Sequence, residues 1–321
     1  MKPCPVDGIV PQLLAALAVT PTVIIQSPPG SGKSTRIPIA LLTADWLAGQ
    51  SVVMLEPRRL AAVNLATWLA GQRGETVGDT IGYAIRFDRK VGKNTRLEIV
   101  TEGLLTRRLQ ADPYLDGVGV VVFDEFHERS LHADTALALC RELQQTVRPE
   151  LRLVVMSATL DREKMAGLLP EAAVLGSDGG LFPVGISYLG EPADPVEGAV
   201  QGVLRALREQ EGDILTFLPG SGEIRRTAAR LAEIGTGSNL VVPLYGDLPF
   251  AEQERAIMPG TARKIVLATN IAETSLTIEG VTTVVDSGLV RRARFDRQRG
   301  VNSLVTERIS RASSESEGHT S

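Results

Sequence analysis

A glycine-rich loop between an apolar strand pattern and a helix pattern constrains the fold of this chain more than any other feature. Residues 23–25 are Val-Ile-Ile, residues 27–34 read Ser-Pro-Pro-Gly-Ser-Gly-Lys-Ser, and residues 37–42 are apolar again. Glycines allow left-handed backbone angles and leave room for backbone amides to surround a polyphosphate. The amino end of the following helix favours a bound anion. This order predicts an α/β domain with a phosphate-binding loop.

The candidate phosphate contacts lie in this loop and in the first turn of the predicted helix. They are Gly30, Ser31, Gly32, Lys33, Ser34 and Thr35. Lys33 supplies a positive charge, and the Ser34 hydroxyl is a candidate Mg²⁺ ligand. The usual pattern G-x-x-x-x-G-K-[ST] has a glycine where this chain has Ser27, so the match is incomplete. The alternative is an ordinary strand-to-helix turn.

Two carboxylates follow a second buried strand pattern and favour the phosphate-binding interpretation. Residues 118–123 are short, apolar and rich in valine, as in a strand covered on both faces of a parallel sheet. Ligands of open α/β sheets collect at the carboxyl ends of strands, where Asp124 and Glu125 would lie. Asp124 is predicted to bind Mg²⁺, and Glu125 to orient or deprotonate a water that attacks the phosphate. The alternative is a solvated acidic turn.

Strand and helix patterns alternate along the chain and divide into two similar units. Strands are predicted at residues 23–26, 52–55, 97–100, 118–123 and 151–156, and then at 214–217, 240–245, 264–268 and 281–286. This alternation is typical of parallel sheets covered by helices. The glycine-rich residues 176–180 indicate a connection between the units. We expect domains at residues 1–178 and 184–313, a linker at 179–183 and a divergent polar tail at 314–321.

Ordered motifs give the chain a family resemblance. Asp124-Glu125-Phe126-His127, with His where DEAD-box proteins have Asp, resembles motif II of the DEAH-box RNA helicases, in wording nearest to the bacterial HrpB-type branch. The other family motifs are matched in order by residues 55–62 (motif Ia), 82–87, 101–105 (Ib), 157–160 (III), 217–220 (IV) and 268–278 with 284–288 (V). The resemblance spans residues 22–313 and implies two tandem RecA-like (P-loop NTPase) domains with parallel sheets.

The resemblance also implies roles for residues outside the phosphate loop. His127, counted with Lys33, Asp124 and Glu125 in the catalytic set, would link the nucleotide state to the other domain. The implied nucleic-acid contacts are Arg58, Arg59, Thr101, Glu102, Gly103, Gly220, Thr269 and Asn270. The implied coupling residues are Ser157, Thr159, Glu273, Thr274 and Ser275. Without the motifs, an arginine pair is more often solvated surface, and a Ser-Ala-Thr run is usually a turn.

The same resemblance implies the ligands. The cofactors would be ATP and Mg²⁺. The partner would be single-stranded or partly duplex RNA, or DNA, bound largely without sequence preference through phosphates, sugars and hydroxyls. The patterns at residues 289–300 and 301–309 form two extended segments with a glycine between them, and they hold five arginines in nine residues. In the family this hairpin lies near the point of strand separation, although charge on an exposed strand also prevents aggregation.

The end of the chain departs from the family. After residue 313 the family continues into motif VI, Q-R-x-G-R-x-G-R, whereas Ser316, Glu317 and Thr320 stand at the positions of its glutamine and first two arginines. An arginine finger contributes roughly 10³ to 10⁵ in phosphoryl-transfer rate. We therefore expect a truncated helicase core. Two alternatives are a nucleotide-dependent RNA-binding module with weak turnover and a simple phosphotransferase or ATPase unrelated to RNA.

Composition excludes several other classes of protein but does not identify the substrate. A net charge of −4 gives no overall basic surface, so nucleic-acid binding would use a local groove. Cys4 and Cys140 form neither a disulfide framework nor a metal-ligand cluster. No segment resembles a signal peptide or a membrane span. We expect a cytoplasmic monomer with no membrane association.

Overall fold

In a computed structural model the chain divides into two compact units, residues 1–181 and 182–321. The structure describes residues 4–158, 165, 167–177, 184–190, 194–258, 260–272, 278, 280–296 and 300–309. Each unit has its own main sheet, with two hydrophobic cores in the first unit and one in the second among the described residues.

The first unit is built on a mostly parallel sheet of eight strands within the described residues. In chain order the strands are β1 (Thr22–Gln26), β2 (Ser51–Leu55), β3 (Ile81–Ile85), β4 (Asp88–Lys90), β5 (Leu97–Val100), β6 (Val118–Phe123), β7 (Arg152–Ser157) and β8 (Ala173–Gly176). Their order across the sheet is β4-β3-β5-β2-β6-β7-β1-β8, and β4 runs antiparallel to β3. Parallel neighbours need crossover connections, which helices supply.

Helices cover both faces of this sheet. They are α1 (Val10–Val19), α2 (Lys33–Leu41), α3 (Arg59–Gln72), α4 (Glu102–Ala111) and α5 (Leu131–Thr146). The first three pack into one core and the last two into another. Alternate residues of β6 enter the two cores, since Val120 and Val122 belong to one, and Val121 and Phe123 to the other. Burial on both faces explains why this strand has an unbroken apolar sequence.

The second unit has a smaller parallel sheet. Its strands are β9 (Asp213–Phe217), β10 (Leu240–Leu244), β11 (Lys264–Ala268) and β12 (Val281–Asp286), in the order β10-β11-β9-β12. Its helices are α6 (Pro195–Glu209), α7 (Ser221–Ile234) and α8 (Phe250–Ile257). Asp194 caps α6 by accepting a hydrogen bond from the Val196 backbone N–H at 3.1 Å. Beyond this sheet, β13 (Leu289–Asp296) and β14 (Val301–Arg308) form an antiparallel hairpin.

The predicted fold class is confirmed, since both units are α/β with parallel sheets. The strands predicted from the sequence are present, with ends that differ by at most one residue. Strands β3, β4 and β8 were not predicted as strands. Gly176, interpreted as part of a connection, is instead the last residue of β8 and pairs with Gln26. The expected linker at 179–183 and tail at 314–321 lie outside the described residues.

None of the helices in the described part of the chain combines the length and apolar content that a membrane crossing requires.

Candidate active site

The sheet order of the first unit brings the predicted motifs to one edge. Strands β5, β2, β6, β7 and β1 are consecutive neighbours, and each ends at its carboxyl end in a candidate functional segment. The phosphate loop follows β1, and the Asp124-Glu125 pair follows β6, two strands away. The segments after β2 and β5 hold the predicted nucleic-acid contacts. Ligands of open α/β sheets bind at this edge.

Backbone geometry gives the glycine-rich loop the form of an anion cradle. Gly30 and Gly32 have φ of 70° and 90°, in the left-handed region that glycine tolerates. A Cβ on Gly32 would also lie 2.9 Å from the Cβ of Cys4, so this position is closed to a side chain. The Ser31 hydroxyl is buried and has no hydrogen-bond partner among the described residues. A buried, unpaired hydroxyl in a glycine loop suits a bound oxyanion.

Lys33 is held inside this loop. It is 4 % exposed, and its Nζ donates to the backbone carbonyls of Ser27 at 2.6 Å and Pro28 at 2.9 Å. Burial lowers the pKa of Lys33, and the charges of Glu125 and Asp124 oppose that shift. The ammonium group is therefore close enough to interact electrostatically with both carboxylates.

Ser27, which replaces the expected first glycine, does not need the left-handed backbone that favours glycine. Its side chain is 1 % exposed, and its hydroxyl contacts the hydroxyl of Ser177 directly after β8. The Ser27 backbone N–H donates to the Ser157 carbonyl at 3.1 Å. The departure from the usual pattern therefore adds a side-chain contact between the loop and the end of the neighbouring strand.

Asp124 and Glu125 are buried at the end of β6. Asp124 is 2 % exposed, and its Oδ1 accepts the Glu125 backbone N–H at 2.9 Å, whereas its Oδ2 has no hydrogen-bond partner among the described residues. Burial raises the pKa of Asp124, which the Ser34 hydroxyl and the Lys33 charge partly oppose. An unpaired carboxylate oxygen near a serine hydroxyl fits the oxygen ligands that Mg²⁺ prefers.

Glu125 combines a perturbed pKa with a strained backbone. Burial, followed by the Asp124 charge, raises the pKa of Glu125 to about 8. Its φ of 48° lies in the left-handed region, where a non-glycine residue costs roughly 1–2 kcal/mol. Strain and a shifted pKa in one residue are typical of a functional position.

His127 contacts residues of its own domain. Burial lowers the pKa of His127, so the ring is neutral at pH 7. Its Nδ1 accepts the Ala158 backbone N–H at 3.4 Å and lies 3.3 Å from Glu125 Oε2. Because this nitrogen has a single lone pair, the Ala158 N–H and a protonated Glu125 compete for it. His127 thus connects the acidic pair to the segment after β7, and its predicted link to the other domain stays a prediction.

Glu56 is a third buried carboxylate, within motif Ia but not among the predicted site residues. It directly follows β2, beside Asp124 on the neighbouring strand, and is 2 % exposed. Its Oε1 accepts the Arg58 backbone N–H at 3.2 Å. Burial, together with the charges of Asp124 and Glu125, raises the pKa of Glu56 well above its ordinary value. Its place in a Leu-Glu-Pro-Arg-Arg run was visible, but its burial depends on the neighbouring strands.

The predicted nucleic-acid contacts of the first unit follow β2 and β5. Arg58 precedes α3 and pairs with Glu128 at 3.3 Å. Arg59 is exposed and donates to the Arg86 carbonyl at 3.2 Å. Thr101 precedes α4, whose first turn holds Glu102 and Gly103. These residues are brought to neighbouring positions on one sheet edge, as expected from the parallel topology.

The Glu102 carboxylate is held in place by a hydrogen bond, unlike a free surface carboxylate. Its Oε2 accepts a hydrogen bond from the Ser130 hydroxyl at 2.6 Å. Burial raises the pKa of Glu102, although the Ser130 bond opposes the shift.

The second unit places Gly220 and Thr269 at the ends of adjacent strands. Gly220 lies at the start of α7 after β9, and Thr269 and Asn270 follow β11. The Arg291 guanidinium from β13 occupies the space beside Gly220, where a Cβ would lie 2.7 Å from Arg291 Nη1.

The predicted coupling residues are only partly within the described residues. Ser157 is buried at the end of β7, and its carbonyl accepts the Ser27 N–H. The predictions for Thr159, Glu273, Thr274 and Ser275 lie outside the described residues.

Comparison with known families supports the motif assignments. Residues 10–166 match the family model described as DEAD/DEAH box helicase, and residues 198–311 match the model described as helicase conserved C-terminal domain. Together the two models account for most of the chain.

Individual relatives give the same result. The chain is 50 % identical to the ATP-dependent RNA helicase HrpB of Escherichia coli over 98 % of its own length, and 39 % identical to the probable ATP-dependent RNA helicase DHR2 of Saccharomyces cerevisiae over 94 %. It spans 39 % and 43 % of those two proteins. A crystal structure of the E. coli DEAH/RHA helicase HrpB superposes on 99 % of this chain with a TM-score of 0.92 and 48 % identity, and the match covers 41 % of that structure. The chain therefore belongs to the DEAD/DEAH box helicases.

Proposed function

We propose that this chain is the core of an ATP-dependent RNA helicase, in which hydrolysis of Mg-ATP drives movement along a nucleic acid strand. The observation that carries the proposal is the single sheet edge shared by the phosphate loop, the Asp124-Glu125 pair and the segments after β2 and β5. A nucleotide site and a nucleic-acid surface on neighbouring loops of one rigid sheet can influence each other. The names of the relatives, all described as ATP-dependent RNA helicases, agree with this assignment.

Different residues of this chain would bind the phosphates, hold Mg²⁺ and orient the attacking water. The loop amides and the Ser31 hydroxyl hold the phosphates, and Lys33 adds its charge. Ser34 and the unpaired Oδ2 of Asp124 would hold Mg²⁺, which neutralises charge on the phosphates when bound. Glu125 would orient a water molecule and, in its ionised form, would accept its proton. His127 supports Glu125 from the side of β7.

RNA would be bound mainly through its backbone. Arg59 is exposed beside the sheet edge, and Thr101 and Gly103 present a hydroxyl and backbone groups at the start of α4. Contacts of this kind recognise phosphates and sugars, so we expect little sequence preference. We include partly duplex RNA and DNA as substrates of the same surface.

The decisive test is steady-state ATP hydrolysis by the purified chain, with and without single-stranded RNA. We expect RNA to stimulate turnover and Glu125→Gln to abolish it. Turnover that remains in Glu125→Gln would reveal a contaminating ATPase. Nucleotide and RNA binding without turnover would contradict the motor and identify a binding module. A turnover rate that RNA does not change would identify an ATPase unrelated to RNA.

The nucleotide site has its own binding test. Lys33→Ala should abolish binding of a fluorescent ATP analogue, because it removes the charge at the centre of the loop. Lys93→Ala, which removes an exposed lysine from the same domain, is the matched control and should bind as the unaltered chain does. Unchanged binding in Lys33→Ala would contradict the site assignment.

A further inference from the structure

We propose that Glu128 and Ser130 transmit the state of the nucleotide site to the nucleic-acid segments after β2 and β5. Both residues lie in the loop between Glu125 and α5. The inference rests on the proposed function and deepens it, because it assigns regulation of that site to two positioning residues outside the predicted set.

Glu128 connects this loop to the segment after β2. Its Oε1 lies 3.3 Å from Arg58 Nη2, and the two side chains are only 24 % and 17 % exposed. Partial burial reduces solvent screening, so the pair is stronger than a typical surface ion pair. An RNA phosphate would compete with the Glu128 carboxylate for the Arg58 guanidinium. Binding of RNA therefore changes the forces on the loop after β6.

Ser130 connects the same loop to the segment after β5. Its hydroxyl donates to Glu102 Oε2 at 2.6 Å and accepts the Ala133 backbone N–H at 3.0 Å. The second bond caps α5 and fixes the orientation of the hydroxyl. The first bond joins the starts of α4 and α5, which pack against each other. A shift of Ser130 therefore reaches Glu102 directly.

The backbone between Glu125 and Ser130 is a short, constrained turn. Phe126–Glu128 form one 3₁₀ turn, and Glu125 and Arg129 on either side both have φ of 48°. The Glu128 N–H donates to the Glu125 carbonyl at 2.9 Å, and the Phe126 ring is buried against Phe123. Strained residues at both ends leave the turn little freedom to absorb a movement. Displacement of Glu125 is therefore passed on to Glu128 and Ser130.

The sheet order explains why these contacts exist. Strand β6 adjoins β2, and β2 adjoins β5, so the loop after β6 lies beside the loops that carry Arg58 and Glu102. Coupling between two ligands is reciprocal, so the same contacts should let RNA alter nucleotide affinity and nucleotide alter RNA affinity.

The experiment measures this coupling at equilibrium, so it does not require turnover. The dissociation constant of a fluorescent ATP analogue with Mg²⁺ is measured with and without saturating oligouridylate. We expect the unaltered chain to show a difference of about fivefold or more, the lower end of typical coupling. The Glu128→Gln/Ser130→Ala double variant should reduce the difference to less than about twofold. Its nucleotide affinity without RNA should be equal or slightly tighter, because one negative charge near the acidic pair is removed. Its RNA affinity should be equal or tighter, since Glu128 no longer competes for Arg58.

Matched controls separate this role from a general loss of structure. Glu150→Gln removes another carboxylate paired with an arginine, Arg148, and Ser51→Ala removes another serine hydroxyl that donates to a carbonyl, at 3.0 Å from Gly117. Both residues precede strands of the same sheet or begin them, away from the carboxyl edge. Both control variants should retain the coupling of the unaltered chain. Ser130→Thr keeps the hydroxyl and the helix cap and should also retain it.

Each outcome bears on a different statement. Full coupling in the double variant, or nucleotide and RNA binding without coupling in the unaltered chain, would overturn the inference and leave the proposed function in place. Failure of the unaltered chain to bind either ligand would refute the proposed function and the inference with it. Loss of coupling in Ser130→Thr as well would assign the effect to packing and overturn the role of the hydroxyl.

Discussion

At the scale of single residues, charged groups are buried together at the carboxyl edge of the first sheet. Glu56, Asp124 and Glu125 are all buried, and burial raises the pKa of each of them. Lys33 is buried nearby with a lowered pKa. Buried charges cost stability unless they are paired. Such a group of residues is better explained by ligand binding than by stability of the fold.

Glu125 should make the stability of the chain depend on pH. Its pKa rises to about 8 in the folded state from about 4.5, so the folded state retains the proton more strongly. Its stabilising contribution is present below pH 4.5 and is lost as the pH rises through 8. Glu125→Gln removes this loss, so we expect the variant to be more stable than the unaltered chain by ~1 kcal/mol or more at pH 8.5.

Thermal unfolding in EDTA, at pH 5 and at pH 8.5, tests this expectation. The gain from Glu125→Gln should be much larger at pH 8.5 than at pH 5, where the loss is only beginning. Glu142→Gln, an exposed carboxylate on α5, is the control and should show no pH-dependent gain. An equal effect of Glu125→Gln at both pH values would contradict the assigned pKa.

Gly32 and Gly30 separate two constraints on the phosphate loop. Alanine at either position destabilises the fold by roughly 1–2 kcal/mol, because its Cβ disfavours a left-handed backbone. Gly32→Ala also brings its Cβ to 2.9 Å from the Cys4 Cβ, whereas Gly30→Ala meets open space. We therefore expect Gly32→Ala to lower nucleotide affinity and melting temperature more than Gly30→Ala does. Removing the Cys4 side chain with Cys4→Gly should bring Gly32→Ala to the level of Gly30→Ala, and failure of this rescue would exclude the steric explanation.

At the residue scale, the sequence could predict which residues follow a buried strand. The loop glycines and the Asp124-Glu125 pair follow strands that are evident from composition alone. Glu56 and the contact between Ser27 and Ser177 could not be predicted, because each depends on which strands are neighbours in the sheet. A carboxylate in an isolated sequence gives no sign of its burial.

At the scale of elements, the arginines described in the β13–β14 hairpin make different contacts. Arg291 packs beside Gly220 and lies 3.5 Å from Glu223, near the start of α7. Arg294 pairs with Glu307 across the hairpin. Arg292 is exposed, opposite Val305. Two of these three arginines, Arg291 and Arg294, therefore have carboxylate partners. A count of arginines along the sequence overstates how many are available to bind RNA.

The hairpin predicts different effects for adjacent arginines. Arg292→Ala should weaken binding of single-stranded RNA about equally across sequences and reduce the slope of log affinity against log salt by about 0.7, as expected for loss of one phosphate contact to a single strand. Arg291→Ala should leave the slope unchanged, because its guanidinium is engaged with Glu223. Fluorescence anisotropy titrations at several salt concentrations measure both slopes. Equal slopes for the two variants would contradict the assignment of Arg292 to RNA.

Element prediction failed for strands whose sequences lack a clear periodicity. Strand β3 contains Gly82, and a Cβ there would lie 2.4 Å from the Lys90 carbonyl oxygen, so the close approach of β4 requires glycine. Strand β8 is four residues long and is stabilised by pairing with β1. Glycine and short length both weaken a strand signal, whereas partners distant in sequence supply the missing stabilisation.

At the scale of the whole molecule, the two units differ in how much of the nucleotide chemistry they hold. The phosphate loop, the acidic pair and the contacts of Glu128 and Ser130 all lie in the first unit. Its eight-stranded sheet is covered by two cores, on opposite faces. A domain with its own cores and no sheet shared with a neighbour can fold alone.

We therefore predict that a fragment of residues 1–181 folds cooperatively and binds a fluorescent ATP analogue with Mg²⁺. Its affinity should be within about tenfold of that of the full chain, a difference of at most about 1.4 kcal/mol. Lys33→Ala within the fragment should abolish binding, whereas Lys93→Ala should not. RNA should stimulate hydrolysis by the fragment less than by the full chain, since Gly220, Thr269 and the β13–β14 hairpin belong to the second unit. A fragment that unfolds without a cooperative transition would show that the first unit depends on the second for its stability. A cooperative fragment that does not bind nucleotide would instead mean that the sheet edge of the first unit is insufficient for the nucleotide site.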